Sequence, residues 1–295
     1  MDREEFIIHV YCIVDGLFNR VTKSKKIRQR GPSPILSDAE VITMQVVGEF
    51  FGIDGDKNIW EYFMANWNKL FPKIGDRTTF VKQVGNLWYW INRVQESASS
   101  ELSSISDDIH ITDGFPVPVT NFKRAHFSKV FKGYAAYGYC AAKNQTYYGL
   151  KGHLIINSLG VISHFAFAPA NIDERDVLPE NVDGISGKLL GDKGLIRPEL
   201  TAHLLQRGIN LEHPLRANME ECRSEKYLKS MKDKRRLVET VIGQLTERFN
   251  IEKMRARNEV RAGIRFMRKI LSHTIGMLIN KKLGRALLRL EGIVG

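Results

Sequence analysis

Three acidic residues, widely spaced along the chain, are the side chains best suited to do chemistry. Asp113 follows an alternating apolar run, Asp192 follows the short run KLLG, and Glu239 lies in a segment with helical periodicity. Carboxylates from two strand ends and one helix can hold two divalent cations about 3.5–4 Å apart, the arrangement that drives phosphodiester chemistry. We therefore predict that the three acids converge in one site.

Each of these acids also has an ordinary structural explanation. Asp-Gly and Asp-Lys-Gly are common turn sequences, because Asp bonds to its own backbone and Gly accepts positive φ. A glutamate on a helix usually faces solvent. This explanation fits Glu239 less well, because the residue borders the apolar stripe of Leu237, Val241, Leu245 and Phe249. A carboxylate at such a border needs a partner or a cation to offset its desolvation.

Positive charge is concentrated in the last quarter of the chain. The formal net charge is +11, and residues 229–295 contain seventeen Lys or Arg against six Asp or Glu, which accounts for the whole surplus. Such asymmetry indicates a polyanionic partner, either nucleic acid or an anionic membrane surface. No stretch approaches the roughly 18–20 uncharged apolar residues that a membrane span needs, so we expect no membrane partner.

Composition indicates a globular cytoplasmic protein. With 295 residues, 43% of them hydrophobic and 26% charged, two folded domains are more probable than one. The acidic start MDREEF lacks the positive charge of a secretory signal. The three cysteines are isolated and form neither a CxxC motif nor a disulfide framework. We expect chemistry from carboxylates and not from thiols.

The first hundred residues have helical periodicity. Ser37 and Glu40 form a capping box before one apolar run, and Asp56 and Asp76 are expected to cap two further helices. A basic stretch with two prolines, at about residues 22–34, predicts an exposed linker. We therefore predict an all-helical domain over residues 1–104.

After a serine-rich boundary at residues 96–108, the periodicity changes from helical to alternating. We predict three strands, then helix and strand in alternation, and finally basic helices at the C-terminus. This order indicates a mixed α/β sheet flanked by helices. The second domain is expected to cover residues 105–295. In it Asp113 comes just past the first strand and Asp192 just past the fourth, so these two strands must be neighbours.

Five segments in order resemble those of insertion-sequence transposases of the DDE class, and of the insertion sequence 982 family in particular: ITDGFPVPV, YYGLKGHLIIN, PANIDERDV, LLGDKG and RRLVET. The resemblance covers about residues 105–260. It implies a ribonuclease-H-like fold whose catalytic positions are held here by Asp113, Asp192 and Glu239. The chain departs from the Tyr-x2-Arg-x3-Glu-x6-Lys pattern of many relatives, because Lys232 and Thr246 stand in the Tyr and Lys places.

The resemblance implies a DNA transposase that cuts phosphodiester bonds at element ends with two Mg²⁺ ions, or Mn²⁺ in their place, and then joins the 3′-hydroxyls to target DNA. Asp113 would bridge both ions, while Asp192 and Glu239 would each hold mainly one. The partners would be double-stranded DNA, from terminal inverted repeats and the target, and further copies of the chain in a homodimer or larger assembly at the nucleoid.

Two alternatives stay open at this point. One is a metal-dependent nuclease of the same fold that cuts DNA without joining it. The other is a DNA-binding protein that has lost the chemistry.

Eight basic residues are candidates for DNA contacts. Arg235 and Arg236 lie one helical turn before Glu239, where a guanidinium can clamp a phosphate, although a solvated charge run explains them equally well. Lys151 and Lys193 are expected near the aspartates. The last helix is expected to offer the DNA backbone a basic ridge of Arg261, Arg265, Arg268 and Lys269. Sequence-specific contacts are expected from the helical domain or the basic linker.

Overall fold

The chain divides into two compact units. The computed structural model describes residues 1–28, 30–31, 33–104, 108–253, 255–256 and 258–295. The first unit contains residues 1–102, 247–251 and 259–295, and the second contains residues 103–246 and 252–258. The C-terminal segment thus groups with the N-terminal helices, whereas the sequence suggested that it continues the second domain. The expected boundary adjoins residues 105–107, and the expected linker includes Gln29 and Pro32; all of these lie outside the described residues.

Nine α-helices occur in the described part of the chain: α1 (Arg3–Thr22), α2 (Asp38–Phe50), α3 (Asp56–Asn66), α4 (Arg77–Asn86), α5 (Trp88–Ser103), α6 (Glu174–Val177), α7 (Pro198–Gln206), α8 (Glu225–Glu247) and α9 (Glu259–Lys282). The first five and the last belong to the first unit, so the predicted helical N-terminal region is confirmed. None of the described helices combines the length and apolarity that crossing a membrane requires.

Local capping signals in the first unit are mostly as predicted. Ser37 and Glu40 form the capping box of α2, and Asp76 accepts hydrogen bonds from the first backbone N–H groups of α4. The prediction for Asp56 is wrong, because α3 begins at Asp56 itself, after Gly55. The Asp56 carboxylate instead accepts a hydrogen bond from Arg268 at 2.8 Å.

The last helix does not carry the basic ridge that the sequence predicts. Arg268 and Lys269 are only 1% and 2% exposed. The Arg268 guanidinium binds the carboxylates of Glu49 and Asp56, and the Lys269 ammonium binds Glu49 at 2.6 Å. The predicted DNA contacts of Arg268 and Lys269 are therefore wrong. These acids lie 212 to 220 residues earlier in the chain, on α2 and α3, so helical periodicity could not reveal them.

The second unit is built on a six-stranded mixed sheet. Its strands are β1 (Ile109–Pro118), β2 (Ala136–Cys140), β3 (Gln145–Asn157), β4 (Ile162–Pro169), β5 (Gly187–Leu190) and β6 (Ile209–Glu212). The order is β2-β3-β1-β5-β6, and β4 also pairs with β3. β1 is antiparallel to β3 and parallel to β5, which is parallel to β6. The predicted mixed α/β sheet flanked by helices is confirmed.

One apolar cluster holds β5 in place between β1 and β6. It joins residues of β3, β5 and β6 to α7 and to the short turns on either side of β5: Ile155, Leu178, Val182, Ile185, Leu189, Leu195, Leu200, Leu204, Ile209 and Leu211. Burying these side chains is the main driving force for docking α7 on the sheet. The cluster thereby fixes β5 beside β1, and the two strands carry the residues described next.

Candidate acidic site

Asp113 and Asp192 lie level with each other on neighbouring parallel strands. Ile111 of β1 pairs with Leu190 of β5, and each aspartate comes two residues after its member of that pair. Neighbouring strands are about 4.8 Å apart, so the two carboxylates start from adjacent backbone positions. The predicted proximity of the first and fourth predicted strands, β1 and β5, is therefore present in the fold.

Asp113 differs from expectation in one respect, because it lies inside its strand. The Asp-Gly pair predicts the end of the strand, but β1 continues to Pro118 along the 13-residue strand β3. Asp113 pairs with Leu154 across the ladder. Its Oδ1 accepts a hydrogen bond from Gly114 N at 2.8 Å. Asp192 does follow its strand, and its Oδ1 accepts from Gly194 N, so it also forms the turn.

A small cavity of about 10 Å³, room for roughly one water-sized particle, lies between these aspartates and Glu174. Its lining is predominantly polar: Thr112, Asp113, His153, Glu174, Leu178, Asn181, Asp192 and Leu195. Glu174 was not predicted from the sequence. It is the first residue of α6, in the segment PANIDERDV, where the acids at positions 173, 174 and 176 were equivalent by sequence.

Gly114 explains how Glu174 reaches the cavity. A Cβ at position 114 would lie 2.6 Å from Glu174 Oε1, so any larger residue there would force the Glu174 carboxylate to move. The other neighbour of Glu174 is Lys151, whose Nζ is 3.4 Å from Oε1. Lys151 projects from β3, two residues before His153, on the same face of the sheet. Lys151, a predicted DNA contact, thus forms an ion pair in the structure.

Burial sets the protonation behaviour of the cavity. Desolvation raises the pKa of the Asp113 carboxyl to about 6, and the charges of Glu174 and Asp192 act in the same direction, against the Gly114 N–H and Arg235. Desolvation also raises the pKa of Glu174, while Lys151 opposes the rise. Burial lowers the pKa of His153 to about 4, so this imidazole is neutral at physiological pH.

Two buried polar groups in the lining have unused hydrogen-bonding capacity. His153 Nε2 and Asn181 Nδ2 are shielded from solvent and have no hydrogen-bond partner among the described residues. Buried polar atoms in proteins are nearly always hydrogen-bonded. Both residues line the cavity, so its wall is suited to a small polar occupant.

Comparison with protein families is consistent with this geometry. The family described as "Transposase DDE domain" matches residues 103–259, more than half of the chain. The chain belongs to the DDE transposase family. A search of curated proteins finds no match. Among solved structures, the chain is similar to piggyBac transposase in a synaptic complex with hairpin DNA, at 10% identity and a TM-score of 0.47, over 98% of this chain and 78% of that one.

The third predicted acid of this DDE transposase is not in the cavity. Glu239 is exposed on α8 and is absent from the lining. Arg235, one turn earlier, is close enough for its charge to lower the pKa of Asp113, and its buried Nε has no hydrogen-bond partner among the described residues. Residues four apart share a helix face, so Glu239 lies on the face that carries Arg235. The structure thus unites two of the three predicted acids and adds Glu174.

The remaining predicted basic residues differ in their surroundings. Lys193 is exposed beside Asp192, and Arg236 is exposed with its guanidinium 3.6 Å from Asp233. In the first unit Arg261 is partly exposed and 3.8 Å from Asp56. Burial lowers the pKa of Arg265 in the same unit. Lys193 and Arg236 are the most accessible to a phosphate.

The lining fits a divalent cation in chemistry. Mg²⁺ and Mn²⁺ prefer oxygen ligands, and Asp113, Glu174 and Asp192 are among the residues that line this one cavity. Within the described ranges, however, no group of three or more His, Cys, Asp or Glu side chains is arranged to hold a metal ion. Desolvation is the main cause of the raised pKa of Asp113, and the charges of Glu174 and Asp192 add to it. Side-chain rotations must draw the oxygens together for coordination.

Proposed function

We propose that this DDE transposase, of the insertion sequence 982 type, hydrolyses phosphodiester bonds at element ends and joins the resulting 3′-hydroxyls to target DNA. The observation that best supports the proposal is the level placement of Asp113 and Asp192 at one cavity, on parallel neighbouring strands. Two acids that are far apart in sequence meet at a site where His153 Nε2 and Asn181 Nδ2 have no hydrogen-bond partner among the described residues. A purely structural role for either aspartate does not require this convergence.

Two Mg²⁺ or Mn²⁺ ions would supply an activated water and charge stabilisation of the leaving oxygen. We assign their binding to Asp113 and Asp192, with Glu239 as the third carboxylate. Glu239 lies about 6 Å along α8 from Arg235, at 1.5 Å per residue. Because its side chain is exposed, it can change rotamer toward Asp113 at little cost.

Glu174 is assigned a supporting role in the same site. Its buried carboxylate adds negative potential beside Asp113, and the Lys151 ammonium compensates part of that charge. Lys151, 3.4 Å from Glu174, would also be placed to contact a phosphate oxygen at the site. His153 and Asn181 are assigned to hold a water or phosphate oxygen through their unpaired nitrogens.

The DNA contacts follow from the charges around the cavity. We propose that Lys193, Arg235 and Arg236 hold the phosphate next to the cleaved bond, with salt-dependent affinity. Arg261 and Arg265 remain candidates for contacts made by the first unit, which we propose reads the terminal repeats. Joining two ends requires two active sites, so we propose a homodimer or larger assembly on DNA.

The test compares Asp113→Asn and Glu239→Gln with wild type in a plasmid-nicking and end-joining assay in Mg²⁺. Losing one cation ligand removes on the order of 4 kcal/mol of transition-state stabilisation, about a thousand-fold in rate. Both variants should still bind DNA. Glu199→Gln, which removes an exposed carboxylate from α7, is the matched control and should keep full activity.

The outcomes separate the alternatives. Wild type that binds cognate ends but never cleaves them with metal supplied supports an inactive DNA-binding protein. Cleavage without any joining of 3′-hydroxyl ends supports a nuclease. Full activity of Asp113→Asn would refute the proposed site itself.

A further inference from the structure

Four aromatic side chains are exposed together in one segment of the second unit. Phe122, Phe127, Tyr137 and Tyr139 are 49%, 83%, 49% and 60% exposed. We call these four the aromatic surface. Other apolar residues of the same segment, such as Phe131, are buried, so the segment is anchored to the unit. Exposed aromatic groups of this density are unusual on a soluble protein and mark an interaction site.

Three of the four rings of the aromatic surface, those of Phe122, Tyr137 and Tyr139, are held in place by neighbouring side chains. Tyr137 and Tyr139 are two residues apart on the edge strand β2, so they project from the same face. The ring of Phe122 packs edge-on against Tyr137, with centroids 5.9 Å apart. Tyr137 also contacts Tyr148 at 5.0 Å, and the Tyr139 hydroxyl donates to Asn144. Rigid rings lose little entropy on binding a flat partner.

The surroundings of the aromatic surface are uniformly basic. Residues 119–142 contain no Asp or Glu. Four exposed cations are interleaved with the aromatic residues: Lys123, Arg124, Lys129 and Lys132. In the described part of the chain none of the four has an ion-pair partner within 4.0 Å. An apolar protein interface is normally depleted in lysine, whereas aromatic rings among cations are typical of surfaces that bind single-stranded nucleic acid.

We propose that the aromatic surface binds single-stranded DNA by stacking on unpaired bases. Stacking requires exposed base faces, which a duplex does not offer, and the four cations pair with the phosphates. The position of the surface suits a strand that passes the acidic cavity. Pro118 of β1, Gly149 of β3 and Ala136 of β2 are register partners, and Pro118 is about 17 Å along β1 from Asp113 at about 3.3 Å per residue.

The test measures DNA binding without cations, in EDTA, and so does not depend on the proposed cleavage chemistry. Fluorescence anisotropy would give affinities for a labelled 20-nucleotide oligothymidylate and for a 20-base-pair duplex at one ionic strength. Phe127→Ala should weaken single-strand binding roughly 5- to 150-fold and leave duplex binding within about twofold. Phe127→Trp should restore single-strand binding, because it restores the ring.

Two controls test the explanation. Leu205→Ala removes another exposed apolar side chain, 63% exposed on α7, and should not change either affinity. Lys129→Ala should weaken binding of both DNA forms. The slope of the logarithm of affinity against the logarithm of salt concentration should become shallower by roughly 0.7–0.9 for each lost phosphate contact.

Several results would overturn the proposal. One is failure of the wild type to bind the oligothymidylate. Another is an equal loss of duplex and single-strand binding in Phe127→Ala, and a third is no loss even in Phe127→Ala/Tyr137→Ala. If the double variant changes the oligomeric mass by light scattering while DNA binding is unchanged, the surface is an interface between copies of the chain. If it abolishes binding to anionic vesicles alone, the partner is a membrane surface.

Discussion

Asp113→Asn should stabilise the second unit while it abolishes cleavage. The pKa of the Asp113 carboxyl is raised from 3.8 to about 6, mainly by desolvation. Because the folded-state pKa lies above the unfolded one, the folded state binds more protons between these values. Stability is therefore greatest at low pH and falls as pH rises through about 6. Two units of pKa shift correspond to a penalty of at most about 3 kcal/mol, complete at pH 8.

Asparagine removes this penalty and conserves the shape of the side chain. Its Oδ1 can still accept the hydrogen bond from Gly114 N. The variant should be more stable than wild type by up to about 3 kcal/mol at pH 8, but by only about 1 kcal/mol at pH 4.5, where the wild-type carboxyl is mostly protonated. Adding Mn²⁺ should stabilise the wild type and not the variant, through preferential binding to the folded state.

The distribution of tryptophan makes the assay specific for one unit. All four tryptophans, Trp60, Trp67, Trp88 and Trp90, lie in the first unit. Urea unfolding followed by tryptophan fluorescence therefore reports the first unit. The far-UV circular dichroism signal contains both units, so a larger shift of the midpoint in this signal than in the fluorescence assigns the stabilisation to the second unit.

Two results would contradict this explanation of the stability change. If Asp113→Asn is less stable than wild type at pH 8, or if its advantage is the same at pH 4.5, the buried charge is not the cause. Glu199→Gln, an exposed carboxylate change in the same unit, controls for the loss of one negative charge and should show no difference between the two pH values.

Two further predictions concern the buried ion pairs of Arg268 and the close approach of Glu174 to Gly114. Arg268→Met leaves two buried carboxylates of the first unit without their guanidinium and should cost about 3–5 kcal/mol, read from tryptophan fluorescence; an unchanged unfolding midpoint would contradict the ion-pair assignment. Gly114→Ala should displace the Glu174 carboxylate and weaken Mn²⁺ binding several-fold by calorimetry, whereas Gly243→Ala, with nothing within 4 Å of the added methyl, should not. Equal Mn²⁺ affinity in the two glycine variants would show that Glu174 does not assist the site.

The fold of the second unit was predictable because its signals are local. Alternating apolar residues predicted the strands, and the place of each aspartate after an apolar run led to the requirement that the two strands be neighbours, which the pairing of β1 with β5 meets. The length of β1 was not predictable in the same way, because Asp-Gly forms turns in most contexts. Here the long partner β3 supplies hydrogen bonds that extend the strand past Gly114 to Pro118.

By itself, the sequence determined the capped helices of the N-terminal region, the mixed α/β class and the family, because these depend on periodicity and on ordered short motifs. Tertiary structure decided which charges are accessible. Arg268 and Lys269 look like solvated residues along the chain, yet acids more than 200 positions away neutralise them inside the first unit. It also selected Glu174 from a run of acids, since only the pairing of strands places Gly114 beneath it. Contacts of that range leave no local pattern, so only the folded chain reveals them.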